Sequence, residues 1–284
     1  MNIESFIGVS TNVLPQIDIW EAIKLVNKAG FKAFEIHLGT FEGCFGNPWL
    51  VPHAGVWPRT FTEQERKRLK EEIQCFDVVI IHGTPIDVNI AALNPGIREE
   101  SQRQYREAIE LAGEIGAKYV TFHLGRPSNS LHNPEEIRKH NIDFILKMLP
   151  LIEKYKLKVG YECFDLNLLD AIKNPNFGLL LDMGHAVSYH RRNTDTVLEW
   201  IDKIGERLIE VHAHDVMNWA EVPERAIAHR SFDYGTCLDL SRISLKLKEN
   251  GYLGPIIFEI LEPTAEKTIE KCLHAKEIIL KAWK

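Results

Sequence analysis

The chain has 284 residues, 26% of them charged and 45% hydrophobic, with 18 Gly and 13 Pro. These are globular proportions, and they exclude a disordered tail protein, a collagen-like repeat and an extended coiled coil. A formal net charge of −6 argues against a dedicated polyanion binder with a strongly basic face, although a local basic groove stays compatible with it.

In chain order, short β-branched and aromatic runs alternate with segments of helical spacing. A first strand is expected over Phe6–Ser10, and a helix follows with Ile19, Ile23 and Val26 on one face, closing at Gly30. A second strand spans Ala33–Leu38. Next comes an unusually long connection from Gly39 to Thr60 that carries Phe41, Phe45, Trp49, Trp57 and His53, the kind of loop that in a barrel is either functional or an ordered flap packing its own aromatics. Strands follow at Val78–His82 and Tyr119–Leu124. Between them lies a helix with Tyr105, Ile109, Ala112 and Ile115 on one face and Gly116 as its stop. Asn133-Pro134-Glu135-Glu136 reads as a helix start, with an Asn cap, Pro at the first helical position and acids in the first turn. The remaining strands are expected at Lys158–Cys163, Phe177–Asp182, Leu208–Ala213 and Ile256–Ile260, and a last helix from Thr264 to about Ala282. Eight strands alternating with about eight helices predict one α/β domain over 1–284, a single (β/α)8 TIM barrel. The competing doubly wound sheet would carry a Gly-rich phosphate loop, and the chain has neither GxGxxG nor a P-loop.

The apolar runs Val78–Ile81 and Ile256–Ile260 fall far short of the roughly 20 residues of a spanning helix. The N-terminal MNIESFIGVS lacks the pattern of a signal peptide. Cys44, Cys75, Cys163, Cys237 and Cys272 are odd in number and scattered, with no CxxC, so a reduced cytoplasmic protein is expected. Trp20, Trp200 and Trp283 leave an oligomer open, with intramolecular helix contacts as the preferred reading.

Barrel active sites lie at the C-terminal ends of the strands. Those ends carry Glu35 and His37, then His82, His123, Glu162, Asp182 with His185, His212 with His214 and Asp215, and Glu259, with His229 in the loop after the seventh strand. Asp plus Glu number 40 and His 12 of 284, so a given strand end carries one of the three by chance about one time in five. Seven consecutive ends doing so exceeds that rate. Glu162 and Glu259 sit inside otherwise apolar runs, where an unpaired carboxylate is costly and a divalent metal is a fitting partner. His212 and His214 point the same way by strand alternation, and alternation does not say which is a ligand. Cys163 should face the helices as core filling. Arg126, and Arg191 with Arg192, stand where an anionic substrate group could be held, with solvated surface positions as the plainer reading.

These residues carry a resemblance. The stretch HGTPIDVNIA from His82 with the LNPGIREES after it, the FHLG after the fourth strand, YE, LDMGHA, VHAHD and FE in that order resemble the xylose-isomerase-like TIM-barrel superfamily. That superfamily includes sugar and sugar-phosphate isomerases and epimerases, and endonuclease IV of the AP endonuclease family 2. The resemblance to the isomerases and epimerases implies one divalent metal, Mn2+, Zn2+, Co2+ or Mg2+, on Glu162, Asp182, His212 and Glu259. In that pattern the two glutamates double as the acid–base pair beside a sugar carbonyl and His185 contacts substrate oxygens. The resemblance to endonuclease IV implies up to three zinc ions and a DNA substrate. It adds His82 and His123 as ligands with Glu162, and a third site on His185, His229 and an Asp two residues before the latter. That position is Ile227 here, and Asp233 could substitute only along a different loop path. Pro85 and Ile86 stand where a base-displacing aromatic wedge is expected. The preferred expectation is a metal-dependent sugar or sugar-phosphate isomerase or epimerase. The alternatives are a zinc phosphodiesterase and a non-catalytic metal-binding barrel.

Overall fold

The computed structural model describes residues 2–39, 54–188, 193–217, 228–234 and 237–284. Eight parallel strands close into a barrel in sequence order: β1 (Ile7–Ser10), β2 (Ala33–His37), β3 (Val78–His82), β4 (Tyr119–His123), β5 (Lys158–Glu162), β6 (Phe177–Asp182), β7 (Leu208–Ala213) and β8 (Ile256–Phe258). The helices are α1 (Ile19–Lys28), α2 (Glu63–Glu72), α3 (Pro95–Ile115), α4 (Pro134–Tyr155), α5 (Asn167–Ala171), α6 (Met183–Ser188), α7 (Thr194–Ile204), α8 (Leu240–Glu249) and α9 (Ala265–Trp283). The expected (β/α)8 TIM barrel is therefore the fold. The eighth strand is shorter than expected, so Glu259 lies one residue beyond it. Among the described residues no helix is long and apolar enough to cross a membrane.

The local chemistry of the helix ends explains where they start. Asp18 and Thr62 form capping boxes with Glu21 and Glu65, each cap worth about 1 kcal/mol. Asn94 and Asn133 cap helices that begin with Pro. Gly116 ends α3 at φ 82°, a left-handed geometry that costs glycine little. Trp20 stacks on Phe61 under the Arg68 guanidinium, and Trp200 packs on Phe164, so both make intramolecular contacts. Cys163 packs against the core between barrel and helices, as strand alternation requires.

The barrel interior is layered. Ala33, Val78, Ile80, Tyr119, Ile209 and Ile257 form an apolar floor separate from the main core. One irregularity decides what stands above it. Leu208 pairs with Leu179 but Glu210 pairs with Leu180, so Ile209 is an extra residue in β7. Such a bulge resets the alternation of a strand. Ile209 fills the inner space above Gly160 and Gly178, and Glu210 and His212 still turn inward. Strict alternation from Ile209 would have sent Val211 and Ala213 inside and His212 out toward the helices.

Candidate metal centre

The upper layer of the interior holds the polar strand ends. His37 pairs with His82, His123 with Glu162, and Asp182 with His212, so register alone brings these side chains to one height. His212 is at the centre. Its Nδ1 lies 3.5 Å from Glu259 Oε2, 3.9 Å from Asp182 Oδ2 and 4.0 Å from Glu162 Oε2. This nitrogen is buried and makes no hydrogen bond.

Three carboxylates around one buried imidazole nitrogen demand positive charge. The protein's own titration reflects that demand. Burial works against the His212 imidazolium, but Glu259 and Glu35 outweigh it and raise its pKa well above the usual histidine range. Burial pushes Glu162 up, yet His123 and His82 beside it hold its carboxyl down at about 2. Asp182 is likewise held low, its burial outweighed by His185 and His214. A divalent cation would replace the shared protons with a stronger charge. The donor set of one imidazole and three carboxylates suits such an ion.

A second group shares Glu162. His82 Nδ1 donates to Gly83 O at 2.9 Å, which leaves Nε2 facing Glu162 Oε2 at 3.7 Å. His123 Nε2 approaches the same oxygen at 3.3 Å. The His82 ring stacks on His37, 4.9 Å between centroids. His82, His123 and Glu162 could thus hold a cation of their own.

His185 and His229 stand on the far side. The His185 backbone N–H donates to Asp182 Oδ1 at 2.6 Å, and its Nε2 lies 3.9 Å from Asp182 Oδ2 and 4.0 Å from Glu162 Oε1. His229 Nδ1 donates to Glu259 O at 3.0 Å. Burial, with His214 beside it, lowers the His229 pKa to about 4, so this imidazole is neutral at pH 7. All eight residues expected from the sequence as ligands therefore lie close together at the C-terminal end of the barrel. Arg126 is exposed on its loop. His53, Arg191, Arg192, Ile227 and most of the 39–60 connection lie outside the described residues. Asp233, the downstream carboxylate considered for a third site, is engaged elsewhere, with Lys271 at 2.6 Å and His274 at 3.0 Å.

Three groups at the site were not in the expected ligand set. His214 Nε2 donates to Asp182, 3.0 Å from Oδ1 and 3.1 Å from Oδ2, while its Nδ1 accepts the His229 N–H at 2.9 Å. Glu35 and Glu210 lie fully buried beneath His212. Glu35 Oε2 is 3.2 Å from His212 Nε2, and Glu210 Oε1 is 3.8 Å away. Burial would raise Glu35, but His212 outweighs it and holds the carboxyl ionised. Burial together with Glu35 pushes Glu210 far up, so it stays neutral. Glu35 and His214 were visible as strand-end residues. Glu210 shares the inward side of His212, two residues on, and was missed because it lies in the middle of β7 rather than at the strand end.

The profile of the xylose isomerase-like TIM barrel family matches residues 23–278. An uncharacterised protein of Methanocaldococcus jannaschii is 26% identical over 287 residues, which covers 96% of this chain and 87% of that one. The L-ribulose-5-phosphate 3-epimerase of Shigella boydii serotype 18 is 23% identical over 193 residues, 64% of this chain and 63% of its own length. The solved structure of a D-tagatose 3-epimerase-like protein superposes with a TM-score of 0.71 at 23% identity, over 97% of this chain and 98% of the other.

Proposed function

Because the chain belongs to the xylose isomerase-like TIM-barrel family, we propose that it is a divalent-metal-dependent epimerase or isomerase of a sugar or sugar phosphate. The observation that carries this reading is the convergence of Glu162, Asp182 and Glu259 on the buried, unbonded Nδ1 of His212. The 3-epimerase names of a relative and of a structural neighbour support it. Glu162, Asp182, His212 and Glu259 would hold the ion. When bound, the ion supplies polarisation of the substrate carbonyl and stabilisation of the negative charge that develops on its oxygens.

The protein's own residues carry the proton chemistry. Glu162 closes β5 and Glu259 follows β8, so the two carboxylates approach a sugar from different walls of the barrel mouth. One breaks the C–H bond next to the carbonyl and takes the proton, leaving the electron pair as an enediolate. The other returns a proton to carbon, and return on the opposite face inverts the centre. His185, partly open to the pocket, donates to substrate oxygens. Its backbone N–H on Asp182 keeps that carboxylate in place.

The test is turnover of a panel of ketoses and ketose phosphates by protein loaded with Mn2+ or Co2+. Glu162→Gln and Glu259→Gln are each expected to lose at least about 100-fold in kcat while their circular dichroism is unchanged. Near-parental turnover in either would overturn its acid–base role.

A second reading, a zinc phosphodiesterase acting on DNA, is favoured only by the shared approach of His82 and His123 to Glu162. The pairing of Asp233 with Lys271 and His274 weighs against its third ion. Cleavage of an abasic-site duplex by the zinc-loaded protein, abolished in His82→Ala, would establish that activity; no cleavage would end the reading.

A further inference from the structure

The residue that remains without a task is Glu35. It is fully buried inside the barrel, and its Oε1 has no hydrogen-bond partner. The fold alone does not need it: its neighbours on β2, Phe34 and Ile36, pack the main core, and Ala33 packs the apolar floor. An apolar side chain at this height would cost the barrel no desolvation. What Glu35 does have is the Nε2–H of His212 at 3.2 Å.

A histidine offers a cation one ring nitrogen, and the partner of the other nitrogen decides which one it offers. His212 has Glu35 on one side and Glu162, Asp182 and Glu259 on the other. We propose that Glu35 is a positioning residue of the centre: by accepting the His212 Nε2–H it turns Nδ1, with its lone pair, toward the three carboxylates. Glu210 is not equivalent. Its Oε1 is 3.8 Å from the same nitrogen, beyond hydrogen-bond reach. The bulge at Ile209 belongs to the same device, because it swings His212 inward over Glu35. This inference rests on the metal-centre reading and deepens it.

The experiment uses the full-length protein, stripped of metal and titrated with cobalt(II), with the dissociation constant and the visible d–d spectrum as readouts. Glu35→Leu removes the acceptor. It is expected to weaken cobalt binding roughly 10–100-fold and to alter the spectrum, as loss of a ligand's carboxylate partner does. Glu35→Gln keeps a carbonyl oxygen for the Nε2–H and should bind within about 5-fold of the parent with the parental spectrum. Glu210→Gln should do the same. Long-range 1H–15N spectra of the zinc-loaded parent, which need no variant to fold, should show the His212 proton on Nε2 and the metal on Nδ1. The reverse assignment would overturn the proposal. So would a Glu35→Leu protein with parental affinity and spectrum, or Gln and Leu variants that are equally weak. A parent that binds no divalent ion would overturn the metal-centre reading as well, whereas a parent that binds with Glu35→Leu unaffected overturns this inference alone.

Discussion

Gly184 is the position where a single methyl group tests the geometry of the site most sharply. It lies in α6, directly after the Asp182 strand end, and its backbone has no unusual φ. A Cβ there would meet His214 Cε1 at 1.9 Å, Nδ1 at 2.2 Å and Nε2 at 2.8 Å. The ring would have to move by well over an ångström to reach ordinary contact. That movement breaks two hydrogen bonds, to ionised Asp182 and from the His229 N–H. The first is worth about 1.5–3 kcal/mol and the second about 1 kcal/mol. Ala in a helix returns about 1 kcal/mol over Gly, so the net cost is about 1.5–3 kcal/mol. An unfolding entropy of about 2.1 cal/mol/K per residue gives the chain about 0.6 kcal/mol/K, so the metal-free protein should melt roughly 2.5–5 °C lower. The assay is a double-mutant cycle of melting temperatures with His214→Ala. In the His214→Ala background the ring is gone, and Gly184→Ala should be neutral or raise the melting temperature slightly. An equal loss in both backgrounds would refute the claim that Gly184 is there to admit His214.

Other outcomes follow from the same geometry. His82→Ala combined with His123→Ala should leave the number of divalent ions held per chain unchanged in elemental analysis, because Glu162, Asp182, His212 and Glu259 keep theirs; a count lower by one would place both histidines in the ligand set of a second ion and favour the phosphodiesterase reading. His229, held at about 4 against about 6.5 in an unfolded chain, is neutral in both states above that range. Between about pH 6.5 and 4 the unfolded chain takes up a proton that the folded site refuses, so this residue makes the metal-free protein less stable as pH falls through the window. A His229→Gln variant should show a shallower loss in denaturant melts across it, and an identical slope would contradict the assignment. Burial pushes the Cys163 thiol up to about 12, so at pH 8 only about one molecule in 10^4 carries the thiolate that alkylates. Iodoacetamide should spare Cys163 in the folded protein and modify it in urea, as read by peptide mass spectrometry.

What was legible in the sequence was whatever depends on period and position. The eight strands showed as short β-branched runs, and their helices as 3.6-residue faces closed by Gly30 and Gly116. Strand-end chemistry showed for the same reason: a Glu within YE or FE has no local cause in a buried strand. What did not show depends on three-dimensional partners. Glu35 and His214 look like any other strand-end acid or histidine until the barrel closes and sets one under His212 and the other against Asp182. The last strand ended early because Glu259 leaves the ladder after its N–H reaches Ala213 O, a break that an uninterrupted IIFEI cannot announce. Glu210 shares the inward side of His212, so alternation points it into the barrel; what hid it is its place in the middle of β7, below the strand end where site residues are sought.

The layering of the interior links these observations. An apolar floor of Ala33, Val78, Ile80, Tyr119, Ile209 and Ile257 closes the barrel from below and lowers the dielectric there. Above it lies a thin acidic layer, one carboxyl ionised at Glu35 and one neutral at Glu210. Above that stand His212 and its three carboxylates, and then the histidines that border the mouth. In each step a buried charge is tolerated because the next layer offers its counterpart: Glu35 faces the His212 imidazole, and His212 faces Glu162, Asp182 and Glu259. The carboxylates at the top of this stack are met by histidines: His82 and His123 face Glu162, His185 and His214 face Asp182, and His212 and His229 face Glu259. An imidazole carries charge only with a proton, so the balance there rests on protons shared between rings and carboxylates. A divalent ion set among Glu162, Asp182, His212 and Glu259 would take the place of those shared protons, and the proposed metal-dependent reading follows from that exchange.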